Sequence, residues 1–180
     1  MQGKVPPQNI EVEQSLLGCM LMDKDSIINV SAWLLPNHFY DNRHVIIYSA
    51  ILDLFNNGLP VDLVTVVDKL KKQNKLASAG GAAYLADLVT TVATSAHAEE
   101  YGEIIKESAM RRGLLSAAKD ITELAFDENT PIDKVIDKSE KEIFDVAQTG
   151  TKSNFVHIKD LLKDAYERAE RADSDEAYLG

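Results

Sequence analysis

Between Ser95 and Phe126 the sequence contains neither a proline nor a convincing break, and this stretch limits what the chain can become. A helix of about 30 residues, rising 1.5 Å per residue, reaches about 45 Å, which is more than a small helical head can cover. Gly102 and Gly113 weaken such a helix without ending it. Thr130-Pro131 then places a capping hydroxyl before a proline at the first helical position, with Asp133 in the first turn. A second helix is therefore expected to run to Gln148 and stop at Gly150, which makes residues 96–149 a helical hairpin. Its arms carry Leu114, Ala118, Ile121 and Ala125 on one side and Ile132, Ile136, Ile143 and Val146 on the other. Two helices bury few of their apolar positions by themselves, so the hairpin wants a partner.

The preceding residues, 1–95, read as a compact head of about five helices. Asn9 follows an extended Pro6-Pro7 lead-in and can cap a first helix in which Val12, Leu16 and Met20 recur beside Leu17 and Leu21. Glu11 and Glu13 fall in its first turn, where carboxylates favour the positive end of the helix dipole. Gly18 lowers helix propensity and points to a closely approaching backbone. A short helix from about Ser26 to Leu34, capped by Asp25, directs Ile27, Val30 and Trp33 to the core. After a turn at 37–42, Arg43 to Asn56 aligns Ile47, Ile51 and Phe55. Asp62 caps a helix that turns Leu63, Val67 and Leu70 inward and Lys69, Lys71, Lys72 and Lys75 toward water. Gly80-Gly81 breaks the chain before a last short helix over 82–89. The fold class is all-α. Residues 150–156 have the composition of a link, and the amphipathic segment after it carries Ile158, Leu161, Leu162 and Tyr166 on one face, suited to docking outside this domain.

The chemistry-bearing motifs are mostly missing. Gly150-Thr151-Lys152-Ser153 brushes against a phosphate-binding loop, but Asp145 stands where the first glycine is needed and a helix end replaces the strand. His38, His44, His97 and His157 occur singly, so solvated or locally bonded imidazoles are expected and metal ligation is not. No nucleophile has a recognisable base beside it, and no catalytic, cofactor-binding or metal-binding residue is assigned. The formal charge of -10 repels phosphate backbones and argues against a module whose main task is gripping duplex DNA. Lys106, Arg111, Arg112 and Lys119 could meet nucleic acid or an acidic partner, although a solvated helix face is the simpler reading. A helix-turn-helix regulator is the rival from another class, but the lysines of its one candidate recognition helix crowd the C-terminal end. The single Cys19 excludes an internal disulfide and suits a reducing compartment, and the first apolar run is too interrupted for a signal peptide or membrane span. The expected location is the cytoplasm.

Four motifs, in order and spacing, carry a resemblance: Pro6 to Gly18, His38-Phe39-Tyr40, Pro60-Val61-Asp62-Leu63-Val64-Thr65, and Gly80-Gly81-Ala82-Ala83-Tyr84-Leu85. With the long helix entered near Tyr101, they resemble the N-terminal domain and linker helix of bacterial replicative DNA helicases of the DnaB type, over essentially the whole chain. The resemblance implies the collar of a homohexameric, ATP-dependent, 5'-3' helicase, built as a trimer of dimers. Primase docks on such a collar, a loader delivers the ring, and single-stranded DNA threads it. It also implies an ATPase domain beyond Gly180 that uses ATP and magnesium, with no cofactor in this segment. Carried onto this sequence, Leu114, Ile121, Ile136 and Ile143 would serve hairpin packing or pairing, and Ile158, Leu161, Leu162 and Tyr166 the linker-helix contact. A free-standing all-α interaction module is the alternative.

Overall fold

The computed structural model describes residues 5–150, and every element among them is helical. In chain order these are α1 (Ile10–Met22), α2 (Lys24–Ser31), a 3-10 turn (Pro36–His38), α3 (Asn42–Asn56), α4 (Leu63–Lys72), α5 (Gly81–Thr91), α6 (Ala98–Phe126) and α7 (Ile132–Gly150). The amphipathic segment expected to carry Ile158, Leu161, Leu162 and Tyr166 lies outside the described residues.

Helix α1 lies at the centre of the head. Asn9 caps it by accepting the Val12 N–H at 3.1 Å, and Leu16, Leu17 and Met20 are sealed from solvent. They pack with Ile47, Tyr48 and Ile51 of α3, Leu85 and Leu88 of α5 and Ile105 of α6 in one continuous core. Gly18 is where α5 crosses α1. A Cβ there would run into the Leu88 carbonyl oxygen and come within 2.6 Å of the Val92 side chain, so the close approach expected from the sequence is present. Tyr48 resolves its own burial by donating its hydroxyl to the Leu34 carbonyl at 2.8 Å.

Several local expectations need correcting. Asp23, not Asp25, caps α2: one of its oxygens accepts the Asp25 N–H at 3.0 Å and the other accepts the Ser95 hydroxyl at 2.7 Å. It thus ends α1, starts α2 and ties both to the approach of α6, and α2 stops at Ser31, before Leu34. Trp33 sits at the rim of the core rather than inside it, with its ring against Gly102 and its Nε1 donating to the Asn29 carbonyl at 2.9 Å. In α4 the reciprocal capping box of Asp62 and Thr65 fixes the phase so that Val66 and Leu70 are buried, while Leu63 and Val67 are half-buried. The Thr130 hydroxyl does not cap α7. It donates to the Asp127 carboxylate at 2.7 Å, and the Pro131 carbonyl accepts the first helical bond from Val135.

Helix α6 is a single rod of 29 residues. Its N-terminal half packs on α1, α2 and the 3-10 turn, and its C-terminal half pairs with α7. No helix among the described residues is long and apolar enough to cross a membrane.

Candidate functional site

The hairpin has two unlike faces, and helical periodicity explains why. Its seam is made by Ala117, Ile121 and Leu124 of α6 against Val135, Ser139 and Val146 of α7, with Ala117 and Val135 buried and the others half-buried. At 100° per residue, Leu114, Ala118 and Ala125 lie about a quarter-turn to one side of the α6 seam. Ile132, Ile136 and Ile143 lie to one side of the α7 seam. Because the arms are antiparallel, both offsets fall on the same face of the hairpin. That face is apolar and uncovered, with Leu114 50%, Ile136 50% and Ile143 52% exposed. Ile121, grouped with these three in the sequence reading, instead belongs mostly to the seam. The opposite face is a charged groove in which Asp120, Glu123 and Asp127 confront Lys138, Lys141 and Glu142.

The apolar face lies about half a turn round α6 from Ile105 and Arg112, which hold the head. Nothing in the head therefore covers it. Leu115 and Phe144, also exposed at 58% and 59%, extend the apolar surface around the outer sides of the arms. Sequence reasoning passed over them because they fall off the main stripe; the signal was a pair of adjacent large apolar residues in each arm, Leu114-Leu115 and Ile143-Phe144. An uncovered surface of this kind in an otherwise acidic chain fits a second helical surface better than a nucleic acid.

The basic residues support that view. Arg112, half-buried, donates to the Pro7 carbonyl at 2.8 Å and the His38 carbonyl at 2.6 Å, fastening the extended lead-in and the 3-10 turn to α6. Lys106 is buried with its ammonium 5.5 Å from the Trp33 ring centre. Neither belongs to a solvated face or a DNA-contacting patch. Arg111 pairs with Glu107 and Lys119 with Glu123, each one turn along α6. In α4, Lys69 pairs with Asp53 and Lys72 with Asp68, which further weakens a helix-turn-helix reading.

A buried polar cluster in the head was not foreseen. Glu13, expected in the first turn of α1, is 2% exposed and accepts the Tyr40 N–H at 2.7 Å, the Asp41 N–H at 3.3 Å and a 2.6 Å hydrogen bond from His44 Nδ1. The other ring nitrogen of His44 lies 2.6 Å from the Tyr84 hydroxyl, which also accepts from Gln14. Arg43 covers the Tyr84 ring at 4.5 Å and donates to Asp41, whose carboxyl it holds below the usual carboxylate range. So three of the four sequence motifs meet at one point: Glu13 from the first, Tyr40 from the second and Tyr84 from the fourth. Their arrangement joins α1, α3 and α5. It offers no nucleophile and no open cleft for a substrate, and its chemistry is that of a rivet. Among the described residues no group of histidine, cysteine, aspartate and glutamate side chains could hold a metal ion.

Comparison with known proteins agrees with this architecture. A family model described as the DnaB-like helicase N-terminal domain matches residues 5–107. The chain is 39% identical over 163 residues to the replicative DNA helicase DnaB of Mycobacterium leprae, covering 89% of this chain and 27% of that protein. It is 36% identical over 171 residues to the replicative DNA helicase DnaC of Bacillus subtilis, covering 95% of this chain and 38% of that protein. It thus spans between about a quarter and two fifths of the length of these curated relatives. Among solved structures, the N-terminal domain of the DnaB helicase from Mycobacterium tuberculosis superposes with a TM-score of 0.75 at 40% identity, covering 78% of this chain and 99% of that one. A DnaB-like replicative helicase, described with its interactions with primase, superposes with a TM-score of 0.71 at 28% identity, over 92% of this chain and 37% of that one.

Proposed function

The chain belongs to the family of DnaB-like helicase N-terminal domains, and on that premise we propose that it is the collar of a replicative helicase ring, working by geometry rather than by chemistry. The observation that carries the reading is the uncovered apolar face shared by Leu114, Ile132, Ile136 and Ile143. Sister copies pair through it, the pairs join as a trimer of dimers, and the six-membered ring leaves a channel for single-stranded DNA. The collar receives primase, a reading supported by the solved relative described with its interactions with primase. A loader brings the ring to the replication fork in the cytoplasm. Residues Ile158, Leu161, Leu162 and Tyr166 dock on an ATPase motor, and ATP and magnesium belong to that motor. The 5'-3' translocation is likewise the motor's work, with the collar holding the subunits in register.

Light scattering on the 180-residue chain across a concentration series tests this. Self-association is expected, and Ile143→Asp is expected to weaken it. A wild-type chain that stays monomeric at high concentration sinks the proposal.

A further inference from the structure

One of the four sequence motifs, Pro60 to Thr65, has no part in the buried cluster that joins the other three. Asp62 and Thr65 make the α4 capping box, but Val64 is 75% exposed and the neighbouring Leu59 51%. Valine is a weak helix former, so its place on the outer side of α4 contributes nothing to the helix itself. Two shallow grooves meet there. On one side of Val64 a groove of about 430 Å³ is lined by Leu54, Leu59 and Pro60 with Lys69 and Lys72. On the other a groove of about 390 Å³ is lined by Leu63, Val67 and Ala82 with Lys71. Val64 and Asp68, one helical turn apart, line both and form the ridge between them.

The charge around the grooves runs against that of the chain. Residues 62–75 carry four lysines and two aspartates, whereas the whole chain has a formal charge of -10. Lys69 pairs with Asp53, Lys72 answers Asp68 on the ridge, and Asp62 is spent on capping. Lys71 and Lys75, both exposed, form no ion pair among the described residues. A surface that is apolar in its grooves and cationic along the end of α4 is complemented by a chain that brings apolar side chains and carboxylates together. A nucleic acid would meet the lysines but find no aromatic ring in either groove on which to stack a base. A second copy paired through the same surface by a two-fold axis would bring both lysine clusters to one patch, where they repel.

We propose that the outer side of α4 is a docking site for a short acidic segment of another protein, which seats apolar side chains in the grooves beside Val64 and sets carboxylates against Lys71 and Lys75. Helix α4 packs on α3 and α5, while α7 packs on α6, so this surface shares no residue with the open hairpin face. The proposal therefore stands apart from the collar reading and does not depend on ring assembly.

The test selects binders from a random short-peptide display library on the 180-residue chain and measures the selected peptides by fluorescence anisotropy. Two variants locate the site: Val64→Gln removes the apolar ridge, and Lys71→Gln combined with Lys75→Gln removes the charge. All three positions are exposed, so the variants should keep the wild-type melting curve and the wild-type self-association. Peptides rich in aspartate and glutamate around aliphatic or aromatic residues, bound at least tenfold more weakly by each variant, support the site. Selection of neutral or basic peptides, or of peptides that either variant binds as well as wild type does, overturns it, as does a selection that yields no binder. Two further outcomes also overturn it. One is an oligothymidylate that binds the wild-type chain and is lost with the lysine variant, which would make the surface a nucleic-acid contact. The other is weaker self-association of Val64→Gln, which would make it a contact between copies.

Discussion

Glu13 and His44 lie 31 residues apart in sequence, yet the Glu13 carboxylate and the His44 Nδ1 meet at 2.6 Å with both side chains sealed from water. That contact closes the head between α1 and α3, and Tyr84 extends it to α5. Truncating one member of such a pair leaves the other buried without compensation. Glu13→Ala is therefore expected to lower unfolding free energy by about 3–5 kcal/mol. Glu13→Gln retains one acceptor oxygen and is expected to cost about 2 kcal/mol. Urea titration of both variants checks the order; equal losses would show that the carboxylate charge matters here and the side-chain shape does not.

Gly18→Ala is expected to destabilise the head despite the better helix propensity of alanine. The gain is about 1 kcal/mol, whereas forcing α5 away from α1 costs about 1–3 kcal/mol. A thermal melt should show a lower midpoint, since the first obstacle is the Leu88 backbone and not a movable side chain.

His38 gives the head a dependence on acidity. Burial, with Lys106 and Arg112 adding to it, pushes its pKa down from 6.5 to about 4. The unfolded chain thus binds a proton between these values that the folded chain refuses, so the contribution to stability is full above about pH 6.5 and disappears as pH falls toward 4. After discounting for solvent screening, its size is about 1–2 kcal/mol. Comparing urea midpoints of wild type and His38→Gln at pH 7 and pH 4.5 isolates this share from that of the carboxylates. The gap between the two proteins should narrow at the lower pH.

Arg112→Ala removes two charge-assisted bonds to the Pro7 and His38 carbonyls. About 1.5–3 kcal/mol per bond is an upper range for such donors, and Arg112→Lys should recover part of it at one carbonyl only. Hydrogen exchange is expected to accelerate in the lead-in before α1 more than in the core of α1 itself. Uniform acceleration throughout the head would argue against a local fastening.

The two faces of the hairpin make opposite predictions for self-association. Ile136→Asp should weaken it at least tenfold, equivalent to about 1.4 kcal/mol, by putting a charge into the apolar face. Lys138→Glu, two residues on but in the charged groove, should leave it within twofold. Sedimentation equilibrium on both variants decides whether the apolar side is the one that pairs.

The helices of this fold were legible because apolar periodicity, a few caps and two glycine-rich breaks agree with one another. Asn9, Asp62 and Gly80-Gly81 each mark the end of an element that the structure contains. Less legible was everything set by tertiary contact. Glu13 read as a first-turn carboxylate and His44 as a solvated or locally bonded imidazole because polarity alone cannot announce a partner 31 positions away. Ile121 and Leu114 carry the same apolar label, and only the register of α7 on α6 separates the seam from the open face. Asp23 displaced Asp25 as the α2 cap because one carboxylate could serve Asp25 and Ser95 together, a geometry without a local sequence signature.

Helix α6 belongs to the head along its first half and to the hairpin along its second, with no proline between them and with Gly113 inside the unbroken helix. A rod of this kind, about 43 Å at 1.5 Å per residue, works as a lever with no elbow. Rotation of the head is passed on along such a rod as a larger displacement of the hairpin tip.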